Sequence, residues 1–190
     1  MAGLARIQRI VDQARLTFSA SNLSIKDPQF NQNLEELKQA MNSVKPEDFN
    51  VSPAIADKEW VYQQGVDVYR ANAACMDVGQ CKDFSIGIFL LKDGCGLPLH
   101  DHPGMHGCMK VLFGEIEITS YCMDESKALK TYESWKGPLV YPCEVLSTKV
   151  YRPEDDPITL SPGVGNIHEI QSKPKCMMHD NTDISLASVL

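Results

Sequence analysis

The chain has 190 residues, 43% of them hydrophobic and 23% charged, which is enough apolar material for one folded domain and excludes a wholly disordered or fibrous protein. Lys and Arg total 18 against 25 Asp and Glu, a net charge of −7. This acidic balance argues against nucleic acid or an anionic membrane as the main partner. No apolar run is long enough to cross a membrane, and the first ten residues lack a secretion signal's apolar core.

The seven cysteines are scattered along the chain, and none belongs to a Cys-x-x-Cys pair. An odd number without close pairs is atypical of a disulfide framework or a zinc finger. We therefore expect free thiols in a reducing compartment, and a cytoplasmic protein.

Two amphipathic helices are predicted at the start of the chain, separated by Lys26-Asp27-Pro28 and ending before Pro46. In both segments apolar residues recur at three- and four-residue steps. The predicted stripes are Leu4, Ile7, Val11, Ala14 and Phe18 in the first helix, and Leu34, Leu37, Met41 and Val44 in the second. We expect both stripes to pack against the rest of the chain; binding of a partner protein is the alternative.

Short β-rich runs replace the helical pattern from about Phe84 onwards, after a connector with one early strand at 46–83. Glycine and proline turns separate these runs, and no helical segment lies between them. This pattern predicts an antiparallel sandwich or barrel. The predicted runs are 84–91, 109–113, 115–119, 138–141, 144–146, 158–160 and 166–170.

Three of the five histidines, His100, His102 and His106, lie within seven residues. Residues two apart on a strand share a face, so His100 and His102 can both point into the interior. Pro98 and Pro103 make a helix unfavourable here. Paired imidazoles suit iron, zinc, copper or nickel. A pair of surface histidines is the alternative, but the glycines on both sides favour a metal site.

The glycine-framed histidines resemble the first motif of the cupin superfamily. Gly94, His100, His102 and Gly114 occupy its positions, while Gly107 stands where the motif usually has a glutamate. The resemblance implies a mainly β protein with the cupin double-stranded β-helix, or jelly-roll, preceded here by the N-terminal α-helices.

The segment Gly165-Asn166-Ile167-His168 resembles the end of the second cupin motif. The implied metal ligands, and catalytic residues, are His100, His102 and His168, with no carboxylate. Three neutral ligands leave a divalent iron site at charge +2, so a substrate thiolate can bind without competition from a protein anion.

Longer stretches resemble the cysteamine (2-aminoethanethiol) dioxygenases and plant cysteine oxidases. The resemblance spans about residues 4–171 and is densest in 84–92, 97–107 and 110–114. It implies an Fe(II) enzyme that uses O₂ to oxidise a thiol to a sulfinic acid. The implied substrate is cysteamine or the N-terminal cysteine of a polypeptide, which would make the enzyme an oxygen sensor.

The resemblance ends near the C-terminus, where the family's aspartate-bearing strand and Pro-Pro-Tyr segment have no counterpart. We therefore divide the chain into a helical segment (1–50), a cupin core (51–172) and a divergent, disordered tail (173–190). An unrecognised strand is the alternative for the tail. The missing strands would leave an unpaired sheet edge and weaken catalysis.

Two other functions remain open at this point. One is another metal-dependent cupin reaction, and the other is a catalytically inactive form that binds thiol peptides or a full-length protein.

We expect a monomer. We also expect Asp101, between the paired histidines, to face solvent, and His106 to support a turn or bond a carbonyl. The choice between cysteamine and a peptide depends on the width of the pocket.

Overall fold

The computed structural model describes residues 2–19, 26–51, 73–123 and 142–173, and the backbone of 184–189. Helices α1 (Ala2–Phe18) and α2 (Pro28–Asn42) precede a short 3-10 helix, Pro46–Phe49. The strands described after them are β1 (Ala73–Gln80), β2 (Ser85–Leu91), β3 (Gly96–His100), β4 (Gly107–Phe113), β5 (Ile116–Met123), β6 (Cys143–Tyr151), β7 (Ile158–Leu160), β8 (Ile167–Ser172) and β9 (Ile184–Val189).

The strands form two antiparallel sheets, ordered β1-β2-β9-β4-β7 and β3-β8-β5-β6. From β2 onwards the chain crosses repeatedly between the sheets, and β7, β8 and β9 alternate strand by strand. This winding is that of a jelly-roll. The predicted fold class, mainly β with N-terminal helices, is confirmed. The predicted runs correspond to β2 and β4 to β8, and the early strand to β1, while the run at 138–141 lies outside the described residues.

Both predicted helices form, and the predicted stripe of α1 is confirmed except at its first residue, since Ala14 is fully buried and Ile7, Val11 and Phe18 pack against the core. Leu4 is 74% exposed, whereas Ile10, Ala14 and Thr17 are buried. On α2 the predicted Leu37 is fully buried. No helix in the described part of the chain is long and apolar enough to span a membrane.

At strand β2 the five-stranded sheet is covered on both of its faces. On β2, Ile86 and Ile88 pack in a cluster with Leu37 of α2, while Leu91 packs with Ile118 of the other sheet. Successive side chains of a strand point to opposite faces, so a strand buried on both sides needs a continuous apolar run. This explains why β2 reads Ser-Ile-Gly-Ile-Phe-Leu-Leu with no charged residue.

The prediction of a disordered tail over 173–190 is wrong for residues 184–189, which form β9. The strand lies between β2 and β4, with Ile86 opposite Val189 on one side and Val111 opposite Leu186 on the other. The physical reason is that β2 and β4 both offer unpaired backbone groups, and a segment containing Ile, Leu and Val suits a central strand. The expected unpaired edge at this place in the sheet is therefore filled.

The end of the helical segment is fixed by an ion pair between α1 and the 3-10 helix. The Arg6 Nε donates to Asp48 Oδ2 at 2.7 Å, and Nη2 donates to Oδ1 at 2.5 Å. The Lys45 backbone N–H also donates to Asp48 Oδ2, at 2.9 Å. These donors, the Arg6 hydrogen bonds foremost, hold the pKa of the Asp48 carboxyl below its usual value.

The described cysteines form no disulfide with one another. Cys108 of β4 is almost fully buried among the residues facing the helices. Burial raises the pKa of its thiol to about 12, so the side chain stays protonated and serves as a small apolar group of the core.

Leu37→Ala tests the packing of the helices on the sheet. The side chain is fully buried, so we expect the substitution to lower the free energy of unfolding by about 2–5 kcal/mol. Leu16→Ala is the control on α1, because Leu16 is 57% exposed and we expect a change of less than about 1 kcal/mol. Urea unfolding followed by far-UV circular dichroism measures both, and equal losses would contradict the packing described here.

Candidate metal centre

The candidate site begins with a cross-strand pair. His100 is the last residue of β3, and its partner in register on β8 is His168. Directly opposed residues on antiparallel strands bring their side chains together on one face, and the two ring centroids are 4.5 Å apart. On β8, His168 and Ile170 are both buried, which places them on the inner face of the sheet.

His102 joins this pair from outside the sheet. Its ring centroid is 4.9 Å from that of His100 and 5.2 Å from that of His168. The prediction that both histidines of the His-x-His pair lie on a strand is wrong for His102, because β3 ends at His100. A turn through Gly104, which has a φ of +73°, closes with a bond from the Met105 N–H to the His102 carbonyl at 3.0 Å.

The three predicted histidines each offer one ring nitrogen, and these atoms all lie within 4.8 Å of one another. The Nδ1 atoms of His100 and His168 lie 2.7 Å from the Pro98 carbonyl and 2.9 Å from the Gly165 carbonyl. A carbonyl oxygen only accepts, so each Nδ1 carries the proton and each Nε2 keeps its lone pair for a metal ion. The donor set fits a borderline divalent ion such as iron or zinc.

Burial keeps the candidate ligands in the form that binds metal. It is the largest cause lowering the pKa of both His102 and His168, and the neighbouring His100 lowers both further. An Asp101 carboxylate opposes this shift at His102, and the Gly165 carbonyl opposes it at His168. Both imidazoles are therefore neutral at neutral pH.

A narrow, mostly apolar cavity of about 70 Å³ adjoins the three histidines. Gly107, which stands at the usual glutamate position, is one of its lining residues, so no carboxylate enters from there. Its remaining lining includes Phe89, Leu97, Met109, Ile118, Ser120, Ile158, Thr159, Leu160 and Ile170. A wider depression of about 670 Å³ is lined by residues next to the histidines, including Asp101 and Asn166.

Two neighbours of the histidines have roles other than metal binding. Asp101 is exposed, as expected. The ring of His106 packs edge-to-face on Phe30 of α2, with centroids 5.1 Å apart. The carbonyl contact expected for His106 is replaced by this packing, which attaches the loop carrying His102 to the helices.

Two residues that sequence reasoning missed hold the strands around the site. Ser172 is fully buried; its Oγ donates to the Lys92 carbonyl at 2.6 Å and accepts the Cys95 N–H at 3.1 Å. The second is Asn166, whose Oδ1 accepts the His102 backbone N–H at 2.7 Å. All three bonds join residues more than sixty positions apart, so no local pattern could have indicated them.

Gly96→Ala tests the close approach of β3 to β8. A Cβ on Gly96 would lie 2.1 Å from the Ile170 carbonyl oxygen, so the strands must separate. We expect a loss of about 1–3 kcal/mol in the free energy of unfolding, as for overpacked sites, and altered NMR signals from the His100 and His168 rings. Gly79→Ala is the control, since nothing lies within 4 Å of a Cβ there. Unchanged ring signals in Gly96→Ala would contradict this account.

The lowered pKa of His168 predicts a pH dependence of the metal-free protein. As the pH falls below the ordinary value of 6.5, the unfolded chain takes up the proton first. The contribution of His168 to the free energy of unfolding is therefore complete above pH 6.5. It is lost as the pH falls towards the lower pKa of this histidine in the folded state. We expect urea midpoints to fall over this window, and less steeply in His168→Gln. NMR titration of the His168 ring gives its pKa directly, and a value at or above 6.5 would contradict the burial argument.

Comparisons with known proteins find a family model, related sequences and a solved structure. The family model described as PCO_ADO matches residues 40–181. A 2-aminoethanethiol dioxygenase from Mus musculus is 34% identical over 181 residues, covering 87% of this chain and 68% of that protein. Plant cysteine oxidase 1 from Arabidopsis thaliana is 26% identical over 185 residues, covering 94% of this chain and 58% of that protein. A solved cupin superfamily protein from Desulfitobacterium hafniense has a TM-score of 0.40 and 16% identity, covering 63% of this chain and 76% of that one.

Proposed function

The chain belongs to the PCO_ADO family, and on this premise we propose that it is a thiol dioxygenase. The reaction is R–SH + O₂ → R–SO₂H, in which the sulfur is oxidised and both atoms of O₂ enter the product. The curated relatives are named as a dioxygenase of 2-aminoethanethiol and as cysteine oxidases. The observation that carries the proposal is a cluster of three histidines without a carboxylate, placed beside a narrow cavity.

We assign the metal as Fe(II), held by His100, His102 and His168. Two of the three rings already have Nδ1 bonded to a carbonyl, so their Nε2 atoms are oriented and need no proton loss. When bound, the ion supplies Lewis acidity and one-electron redox chemistry towards O₂. Iron rather than zinc follows from the oxidation that the family membership implies, because zinc has no redox chemistry.

The chain's own residues set the charge at the site. Three neutral imidazoles leave the charge of a divalent ion unbalanced, because Gly107 replaces the usual carboxylate ligand. An anionic thiolate substrate is therefore attracted to the site. The lowered pKa values of His102 and His168 keep protons off the ligands, so this charge balance holds at neutral pH.

The cavity beside the histidines determines which part of a substrate can enter. Its volume of about 70 Å³ is a little over twice the share of one water in the liquid, about 30 Å³, so it admits the thiol end of a molecule but not a larger group. Apolar side chains such as Phe89, Met109 and Leu160 line it. The wider depression nearby has room for the remainder of a polypeptide. Cysteamine and an N-terminal cysteine peptide are both candidate substrates on this geometry, and a peptide product would make the enzyme an oxygen sensor.

The inactive binding form has lost its main argument. That alternative was based on absent closing strands, and β9 occupies a central place between β2 and β4. No observation on the described residues favours a different cupin reaction.

Loading the protein with Fe(II) without oxygen, then adding O₂ with cysteamine or a peptide beginning with cysteine, tests the proposal. Mass spectrometry should find a gain of two oxygen atoms at the sulfur, and relative rates identify the preferred substrate. We expect His100→Ala, His102→Ala and His168→Ala each to lower the rate by more than about 100-fold, since even the loss of an outer partner of a metal ligand lowers activity 10–100-fold.

His106→Phe is the matched control, because the ring at this position packs on Phe30 rather than with the other three and phenylalanine keeps an aromatic ring there. We expect this variant to keep its iron content and most of its activity. Absence of the sulfinic product from the iron-loaded protein, or activity that survives all three ligand substitutions, would overturn the proposal.

A further inference from the structure

The three candidate ligands are not held in place in the same way. His100 and His168 are partners in the β3–β8 ladder, so backbone pairing fixes the distance between them. His102 lies beyond the end of β3, and no strand pairing reaches it. Its place beside the other two rings must therefore depend on another contact.

That contact is the bond from the His102 N–H to Asn166 Oδ1, 2.7 Å long and partly buried. The other backbone bond of His102 within the described part of the chain, from the Met105 N–H to its carbonyl, stays within the same loop. It shapes the turn but cannot tie that turn to β8. Among these two bonds, only the Asn166 side chain connects the loop to the strand that carries His168.

Asn166 lies close in the chain to His168, so its bond to His102 links two of the candidate ligands. Asn166 is two residues before His168 and directly follows Gly165, whose φ of +69° makes the chain turn at this point. The Gly165 carbonyl accepts from His168 Nδ1 at 2.9 Å. The Asn166 Nδ2 faces the Pro162 carbonyl at 3.5 Å, which leaves Oδ1 directed at His102.

We propose that Asn166 is a positioning residue that fixes His102 relative to His168 and so completes the three-histidine site. Asn166 does not contact the metal itself; it acts through the backbone of one ligand. The inference rests on the proposed metal centre. This positioning role requires a hydrogen-bond acceptor on the side chain of residue 166 that can reach the His102 N–H. Either an amide oxygen or a carboxylate oxygen can accept that bond.

Asn166→Leu removes the acceptor and keeps a similar volume, whereas Asn166→Asp keeps an oxygen at the same reach. We expect Asn166→Leu to bind Co(II) at least about 10-fold more weakly than the wild type, the lower end of the usual effect of losing an outer partner. We also expect its visible ligand-field spectrum to change, because one imidazole is no longer held in position. Asn166→Asp should stay within about 3-fold of the wild type and keep its spectrum.

Gln171→Leu is the matched control on β8, the strand that Asn166 directly precedes. Gln171 also carries an amide bonded to backbone, with Nε2 donating to the Gly94 carbonyl at 2.6 Å, but it contacts none of the three histidines in this way. We expect a change in Co(II) affinity of less than about 3-fold. Far-UV circular dichroism and urea midpoints of the metal-free proteins show whether each variant folds; if Asn166→Leu does not, Asn166→Ser replaces it, since serine is too short to reach the His102 N–H.

The Co(II) titration separates failure of this inference from failure of the proposed function. A wild-type protein that binds no Co(II) overturns the metal centre, and with it the role of Asn166. If the wild type binds Co(II), and Asn166→Leu binds it with the same affinity and the same spectrum, the inference is overturned but the metal centre is not. Equal weakening in Gln171→Leu, or no recovery in Asn166→Asp, also overturns it, because either result assigns the effect to general damage rather than to the acceptor.

Discussion

The pairing of β3 with β8 is the constraint on which the candidate site depends. The strands approach so closely at Gly96 that a side chain is excluded by the Ile170 carbonyl. The register shifts between Leu97 and His100, an irregularity of the kind that re-aims a side chain. Ser172 then bonds the far end of β8 to the turn before β3. These contacts together set one histidine opposite another at the inner face of the four-stranded sheet.

The helices contribute to the site although they cover the other side of the molecule. They pack on the face of the five-stranded sheet that is turned away from the four-stranded sheet, through Leu37 and its neighbours. Phe30 of α2 also contacts a residue outside this sheet, His106 in the loop after β3. The loop carrying His102 is therefore attached at one point to the helices and at another to Asn166. Helices and sheets jointly position a ligand that belongs to neither.

Much of this arrangement could be predicted from the sequence, because local patterns carry it. The alternation and turn residues after Phe84 indicate the sheets, and the spacing of His100 and His102 indicates a shared site. What could not be predicted depends on distant contacts. His102 leaves the strand because the chain turns at Gly104, and the Asn166 bond spans 64 positions. On α1, periodicity marked the stripe that packs on the core, but it also included Leu4, which is exposed, and left out Ile10 and Thr17, which are buried. The strand β9 was not recognised from its sequence, and its pairing with β2 and β4 is a long-range contact that no local pattern indicates.

The central place of β9 also bears on how the protein is made. The strands on either side of it, β2 and β4, are synthesised long before it, and the register joins Ile86 to Val189. Until β9 emerges, β2 and β4 both lack the strand that lies between them in the finished sheet. A nascent chain in this state exposes backbone edges and apolar side chains that other nascent chains can pair with. The jelly-roll therefore closes only after β9 has been synthesised, and the state that precedes this step is the one most exposed to misassembly.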